Sequence, residues 1–128
     1  MRQMNKVILV GNLGSTPELR VSNKAGRSVT NFNLCTNEFR RNADGEKVHH
    51  PEWHKVVAWG NLAELCVENL GKGSKVYLKG RLQTRQREVD GKTFPVTEIV
   101  ASRIDFLRTK EDVEDVDVER EVAHEFDE

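Results

Sequence analysis

Several features that whole classes of protein depend on are scarce here or missing. The only cysteines, Cys35 and Cys66, lie far apart with no Cys-x-x-Cys pattern, which argues against a zinc ribbon, a dithiol redox pair or a disulfide-stapled secreted scaffold. Both read as small buried side chains. No run approaches the roughly 18 apolar residues of a membrane-spanning helix. The early run Val7-Ile8-Leu9-Val10 is also too short for the core of a signal sequence, so a soluble cytoplasmic protein with no membrane contact is expected. There is no Gly-x-x-x-x-Gly-Lys-Ser/Thr loop to cradle a nucleotide phosphate. No serine or cysteine has a base partner at a recognisable spacing, so catalysis is not expected. Apolar residues are 37% of 128, enough for one domain with a modest core that subunit association would help to stabilise.

The formal charge of −1 conceals two opposed parts. Residues 111–128 hold ten carboxylates against Arg120, a net −9, and residues 1–110 hold 19 Lys and Arg against 11 Asp and Glu, a net +8. A basic body suits a polyanionic partner. Within 111–128 the valines are spaced irregularly among like charges, with no helix cap or glycine turn, so this segment reads as a disordered acidic tail on a domain spanning 1–110.

The body reads as strands with one helix. Residues 7–10 form a β-branched run consistent with a strand covered on both faces. A second strand, 28–38, sets Phe32, Leu34 and Thr36 against Asn31, Asn33 and Cys35. Asn42-Ala43-Asp44-Gly45 supplies hairpin chemistry, with Asp44 bonding its own backbone, and a third strand covers about 52–59. At Gly60 the period changes to 3.6: Asn61 and Glu64 form a capping box, Leu62, Leu65, Cys66 and Leu70 form an apolar stripe, and Gly71 supplies a left-handed stop. Strands 74–88 and 93–107 follow, joined by an Asp90-Gly91 turn. This order is that of an all-β, five-stranded OB-fold barrel with one helix between strands three and four, although small mixed α+β sheets share it and the side-chain chemistry decides more.

Trp53, Lys55, Val57 and Trp59 share one parity and so one strand face. A lone tryptophan is most often core, but an ammonium between two indoles belongs on an exposed groove, where bases stack and phosphates meet the charge. Lys75, Tyr77, Lys79 and Arg81 alternate with Val76, Leu78, Gly80 and Leu82, a cationic face backed by a core face. Arg85 and Arg87 extend the charge, and rings recur at Phe39 beside Arg40 and Arg41 and at Phe94 beside Lys92. Unpaired bases expose the π faces that such rings can stack, whereas a duplex has already stacked them. The single helix carries Glu64 and Glu68 but no Lys or Arg, so no basic recognition helix is present for a major groove. Single-stranded nucleic acid, bound without sequence preference, is the partner these residues imply. His50, Glu52 and His54 alternate like a two-His-one-carboxylate metal set, but Pro51 interrupts them and assigns His49-His50-Pro51 to a loop. No metal and no cofactor are expected.

These residues fall in motifs: Asn5-Lys6-Val7-Ile8-Leu9-Val10-Gly11-Asn12-Leu13-Gly14, Pro17-Glu18, Glu52-Trp53-His54-Lys55-Val56-Val57, Leu62-Ala63-Glu64, Lys72-Gly73-Ser74-Lys75-Val76-Tyr77 and Gly80-Arg81-Leu82-Gln83-Thr84-Arg85. In that order they resemble the bacterial-type single-stranded DNA-binding protein family over about residues 4–107. The resemblance implies a homotetramer of OB-fold protomers that wraps and protects single-stranded DNA in replication, recombination and repair, close to the nucleoid and without catalysis. It puts base stacking on Phe39, Trp53 and Trp59, the last in place of a phenylalanine common in the family. Arg87 stands where well-known members have a further stacking tryptophan, which implies guanidinium stacking and a steeper salt dependence. Phosphate contacts are expected from Arg2, Lys6, Arg20, Arg40, Lys55, Lys72 and Arg85, and His54 matches a subunit-interface position. The chain ends Glu125-Phe126-Asp127-Glu128 without the family's terminal Pro-Phe, so docking of replication and repair proteins by the tail would rest on charge. An OB-fold adaptor and an RNA-binding chaperone are the alternative readings.

Overall fold

The computed structural model describes residues 2–24 and 26–114. Its elements are β1 (Val7–Leu13), β2 (Arg20–Val21), β3 (Ser28–Arg41), β4 (Lys47–Trp59), α1 (Asn61–Asn69), β5 (Lys75–Val89), β6 (Lys92–Arg108) and α2 (Lys110–Glu114). The ladder runs β1-β5-β6-β4-β3, and β3 pairs back onto β1 through Asn12↔Cys35 and Leu13↔Leu34, closing a barrel. All contacts in it are antiparallel except β4 with β6, which is parallel at Val56↔Ile99 and Val57↔Val100. Counting the five long strands, the helix falls between the third and fourth, so the OB-fold expected from the element order is what forms. β2 is a short addition on the outer edge of β3.

Inward alternation fills the barrel. Leu34, Val56, Val76 and Leu78 are sealed from solvent, with Leu13, Phe32, Ile99 and Ile104 around them. α1 stoppers one end with Ala63 and Cys66, next to Leu70. Each buried Leu, Val, Ile or Phe side chain contributes about 1.5–3 kcal/mol by leaving water. The two buried polar side chains among the described residues are both satisfied: Thr30 Oγ1 donates to the Glu18 carbonyl at 2.8 Å, and Ser74 Oγ accepts from the Gly71 amide at 3.0 Å.

Several local expectations need correction. β1 is not covered on both faces: Val7 and Leu9 pack against the core, while Ile8 and Val10 remain 52% and 48% exposed. Asn42, not Asp44, organises the hairpin turn, its Oδ1 accepting from the Asp44 and Glu46 amides at 3.0 and 2.9 Å. His49-His50-Pro51 is part of β4, with Pro51 opposite Asn37. There β4 has β3 alone as a neighbour, so the proline nitrogen can face away from the ladder. No capping box forms, because Asn61 already lies inside the helix and Glu64 accepts from Ser28 Oγ at 3.3 Å instead. Leu70, in extended conformation, ends the helix; Gly71 is not left-handed. Leu65 is exposed, and the buried stripe runs through Ala63 and Cys66.

The core face of β5 stops at Gly80. Every residue from Arg81 to Val89 is exposed, Leu82 included, because the β5–β6 hairpin projects beyond the barrel to its Asp90-Gly91 turn. Cys66 is buried, which pushes its thiol up to about 12 and leaves it unreactive, whereas Cys35 is only half-buried. The start of the acidic segment does have a helix cap. Asp112 Oδ2 accepts from the Thr109 amide and hydroxyl at 2.8 and 3.1 Å, capping α2, whose Lys110 and Val113 lie beside Gly71 and Gly73. Residues 115–128, the bulk of the expected acidic tail, lie outside the described residues.

Candidate nucleic-acid interface

The strand parity that joins Trp53, Lys55 and Trp59 places all three on the outer face of the β3–β4 ladder. Register aligns Trp53 with Cys35, Lys55 with Asn33, Val57 with Asn31 and Trp59 with Val29. Trp53 is 59% exposed. Its ring lies against Gly14, where any Cβ would collide with the indole. The benzo part of the ring is thus held against the Gly14 backbone, while most of the residue stays open to solvent. Val57 shares the face but is buried, since β6 crosses β4 at that point.

The β5–β6 hairpin walls the other side. Arg85 and Arg87 share a face with Val96 and Phe94, their register partners, and with Glu98. Together with β3 and β4 they bound a cavity of about 230 Å³ lined by Asn31, Asn33, Lys55, Arg85, Arg87 and Glu98. An adjoining cavity of about 580 Å³ shares Asn31, Arg85 and Glu98 and continues past Trp59 to Arg20. Together they make a groove that runs from Lys55 and Arg87 past Arg85 to the Trp59 indole and Arg20, with Trp53 two residues from Lys55 on the same strand face.

The remaining expected site residues are distributed unevenly. Trp59 is half-buried, and the Arg27 guanidinium lies 5.4 Å from its ring centroid, so this indole already carries a cation. Phe39 is further along the same β3 face. His49 lies 5.4 Å from its centroid and Lys47 Nζ lies 4.2 Å from it, making a small aromatic and cationic cluster towards the hairpin end. Arg40, beside it, pairs with Glu38 at 3.1 Å. Lys6 is not in the groove: it lines a separate hollow with Lys79 and Arg81. Arg2 is exposed, and Lys72 sits on the turn before β5, its amide donating to Thr16 Oγ1 at 3.1 Å. His54 points to the opposite face of β4 from Trp53, with Nε2 2.9 Å from Thr36 Oγ1.

Sequence reasoning missed three residues of this surface, and the place of two more. Arg27 and Gly14 reach the tryptophans from loops distant in sequence, and neither has a local signal. Glu98 reads as an ordinary alternating strand residue. Asn31 and Asn33 were legible as the polar face of their strand, but nothing local made them groove floor.

The chain matches the single-strand binding protein family over residues 4–107. It is 44% identical over 113 residues to single-stranded DNA-binding protein 1 of Chlorobaculum tepidum, a match covering 86% of this chain and 68% of that one. Among solved structures, it resembles the Plasmodium falciparum SSB complex with ssDNA at a TM-score of 0.73 and 32% identity, over 84% of this chain and 97% of the other. It also resembles a deletion variant of the single-stranded DNA binding protein from Thermus aquaticus at a TM-score of 0.70 and 30% identity, over 83% of this chain and 53% of that one.

Proposed function

The chain belongs to the single-strand binding protein family, and from that premise we propose that it binds single-stranded DNA without sequence preference in the groove between β3–β4 and the β5–β6 hairpin. Bases stack on Trp53, with Trp59, Phe39 and the Arg87 guanidinium extending the track. Lys55, Arg85 and Arg20 meet phosphates along the groove, and Arg40, Lys72, Arg2 and Lys6 continue the path around the barrel. The observation that carries this reading is Trp53, 59% exposed and backed by Gly14, beside a cavity lined by Lys55, Arg85 and Arg87. An aromatic plane open to water, with cations in reach of a backbone, is what a flexible unpaired strand needs, because stacking tolerates every base. Members of the family bind DNA and do not catalyse. The protein protects exposed strands during replication, recombination and repair, in the cytoplasm and near the nucleoid.

Self-association completes this reading. Ile8 and Val10 expose about half their surface on the outer face of β1, level with Lys79 and Tyr77 of β5. Apolar, β-branched and pleated, this face suits burial against a second copy, and a homotetramer is the assembly proposed for it. His54, on the face of β4 away from the groove, belongs to the same assembly. Charge-based docking of replication and repair proteins by the acidic tail completes the partner set.

Titration with poly(dT) at low salt tests the function. Tryptophan emission is expected to fall, with binding weakening as salt rises; unchanged emission and no binding would reject the groove. Sedimentation in the same buffer should report a species about four protomers in mass, and a monomer would reject the assembly.

A further inference from the structure

One residue of the groove runs against its chemistry. Glu98 is the one carboxylate among the described residues lining the two adjoining cavities, and its side chain is only 12% exposed. Its Oε1 accepts from Arg85 Nε at 2.8 Å. Gln83 faces Glu98 and Arg85 faces Val96 in the register, so the ion pair is a diagonal contact across the hairpin on the groove side. The other ion pairs among the described residues, Arg40–Glu38 and Arg103–Asp105, join neighbours on one strand and leave their carboxylates 64% and 44% exposed. Solvent screens such pairs heavily. Glu98 is shielded from water, while its partner Arg85 keeps 47% of its side chain exposed towards the groove.

Carboxylate and phosphate compete for the same guanidinium donors. On the reading that single-stranded DNA lies in this groove, we propose that Glu98 is a resident competitor for the DNA phosphates, holding Arg85 in the unbound protein and weakening the complex by its own charge. When a phosphate arrives, Arg85 exchanges one anion for another, and the phosphate also meets the repulsion of Glu98 from close range. That position therefore adds little to the net attraction. Lys55 and Arg87, which line the same cavity, supply attraction that Glu98 offsets. The consequence is a complex that releases and repositions DNA more readily than the cation count alone would allow.

The test compares wild type with Glu98→Gln, which keeps the side chain's shape and its ability to accept from Arg85, by titrating a dT oligomer of fixed length across a salt series. Removing one unit charge a few ångström from the phosphate is expected to tighten low-salt binding about fivefold. The slope of log affinity against log salt should steepen by about 0.7, the value for one further phosphate neutralised on a single strand. Adding Arg85→Gln to Glu98→Gln should remove both gains, because Arg85 is the group released. Equal or weaker binding by Glu98→Gln with an unchanged slope would overturn the proposal and leave the ion pair a structural brace. If the wild type binds no dT oligomer, the failure is that of the groove reading itself. Should Glu98→Gln fold poorly, nitrogen-labelled NMR of the wild type reads the same exchange. The Arg85 Nε–H signal shifts on adding dT oligomer if the guanidinium changes partner, and a fixed signal with DNA bound overturns the exchange.

Discussion

Replacing Trp53 by alanine separates stacking from charge. The Trp53 residue is 59% exposed and its benzo ring rests on Gly14, so the barrel relies on it only in part. Fully burying a large apolar side chain is worth about 1.5–3 kcal/mol, and a ring this exposed should cost the fold about 1 kcal/mol when removed. A stacked base is worth about 1–3 kcal/mol, so affinity for a dT oligomer should fall roughly 5- to 140-fold at about 1.4 kcal/mol per tenfold. Because no charge is lost, the salt slope should stay where it was. Lys55→Gln, two residues along the same face, should do the reverse: a smaller loss at moderate salt and a slope shallower by about 0.7. The assay is anisotropy of a labelled dT oligomer over a salt series, with thermal melting of each variant as the control for folding. Trp53→Phe should recover much of the lost affinity, since a phenyl plane still stacks. A well-folded Trp53→Ala protein that binds within twofold of wild type would refute the assignment of this ring as a platform.

Gly14→Ala should lower dT affinity without unfolding the protein, because its new Cβ meets the outer edge of a movable indole and not backbone; Trp53 emission and binding read this together. Removing residues 115–128, which hold seven carboxylates against Arg120, should tighten DNA binding at low salt and matter little at high salt, where the competition is screened. Equal low-salt affinities would dismiss that competition. Asp112 is held below the ordinary carboxylate value of 3.8, first by the Thr109 amide and then by its hydroxyl. A depressed carboxyl stabilises the fold above its unfolded value and loses that contribution as pH falls through the folded one. Protection of the α2 amides, relative to the intrinsic exchange rate at each pH, should therefore fall only on acidification below about the ordinary carboxylate range, and Asp112→Asn should blunt this dependence.

What could be read along the chain and what could not divide by the range of the interactions. Alternation at period two is a local property, so the shared face of Trp53, Lys55 and Trp59, the inward set Val76 and Leu78, and the Asp90-Gly91 turn were legible in the sequence. The order of strands and the position of α1 fitted the barrel but also a small mixed α+β sheet, and the ring-and-cation chemistry weighed for the barrel. Turn and cap details were less so: Asn42 and Asp44 offer similar local chemistry, and Glu64 was drawn to Ser28, a residue brought near only by folding. Pro51 reads as a breaker unless its stretch of β4 is known to have one neighbour.

Taken alone, the sequence determined that this is a basic β-barrel with rings and cations on one strand face, because side-chain period and charge are carried by consecutive residues. Only the tertiary structure decided which groups share the groove. Gly14 under Trp53, Arg27 on Trp59 and Glu98 against Arg85 are contacts made when separate strands and loops close on one another. Such contacts depend on register and twist across the whole barrel, which no local run of residues encodes.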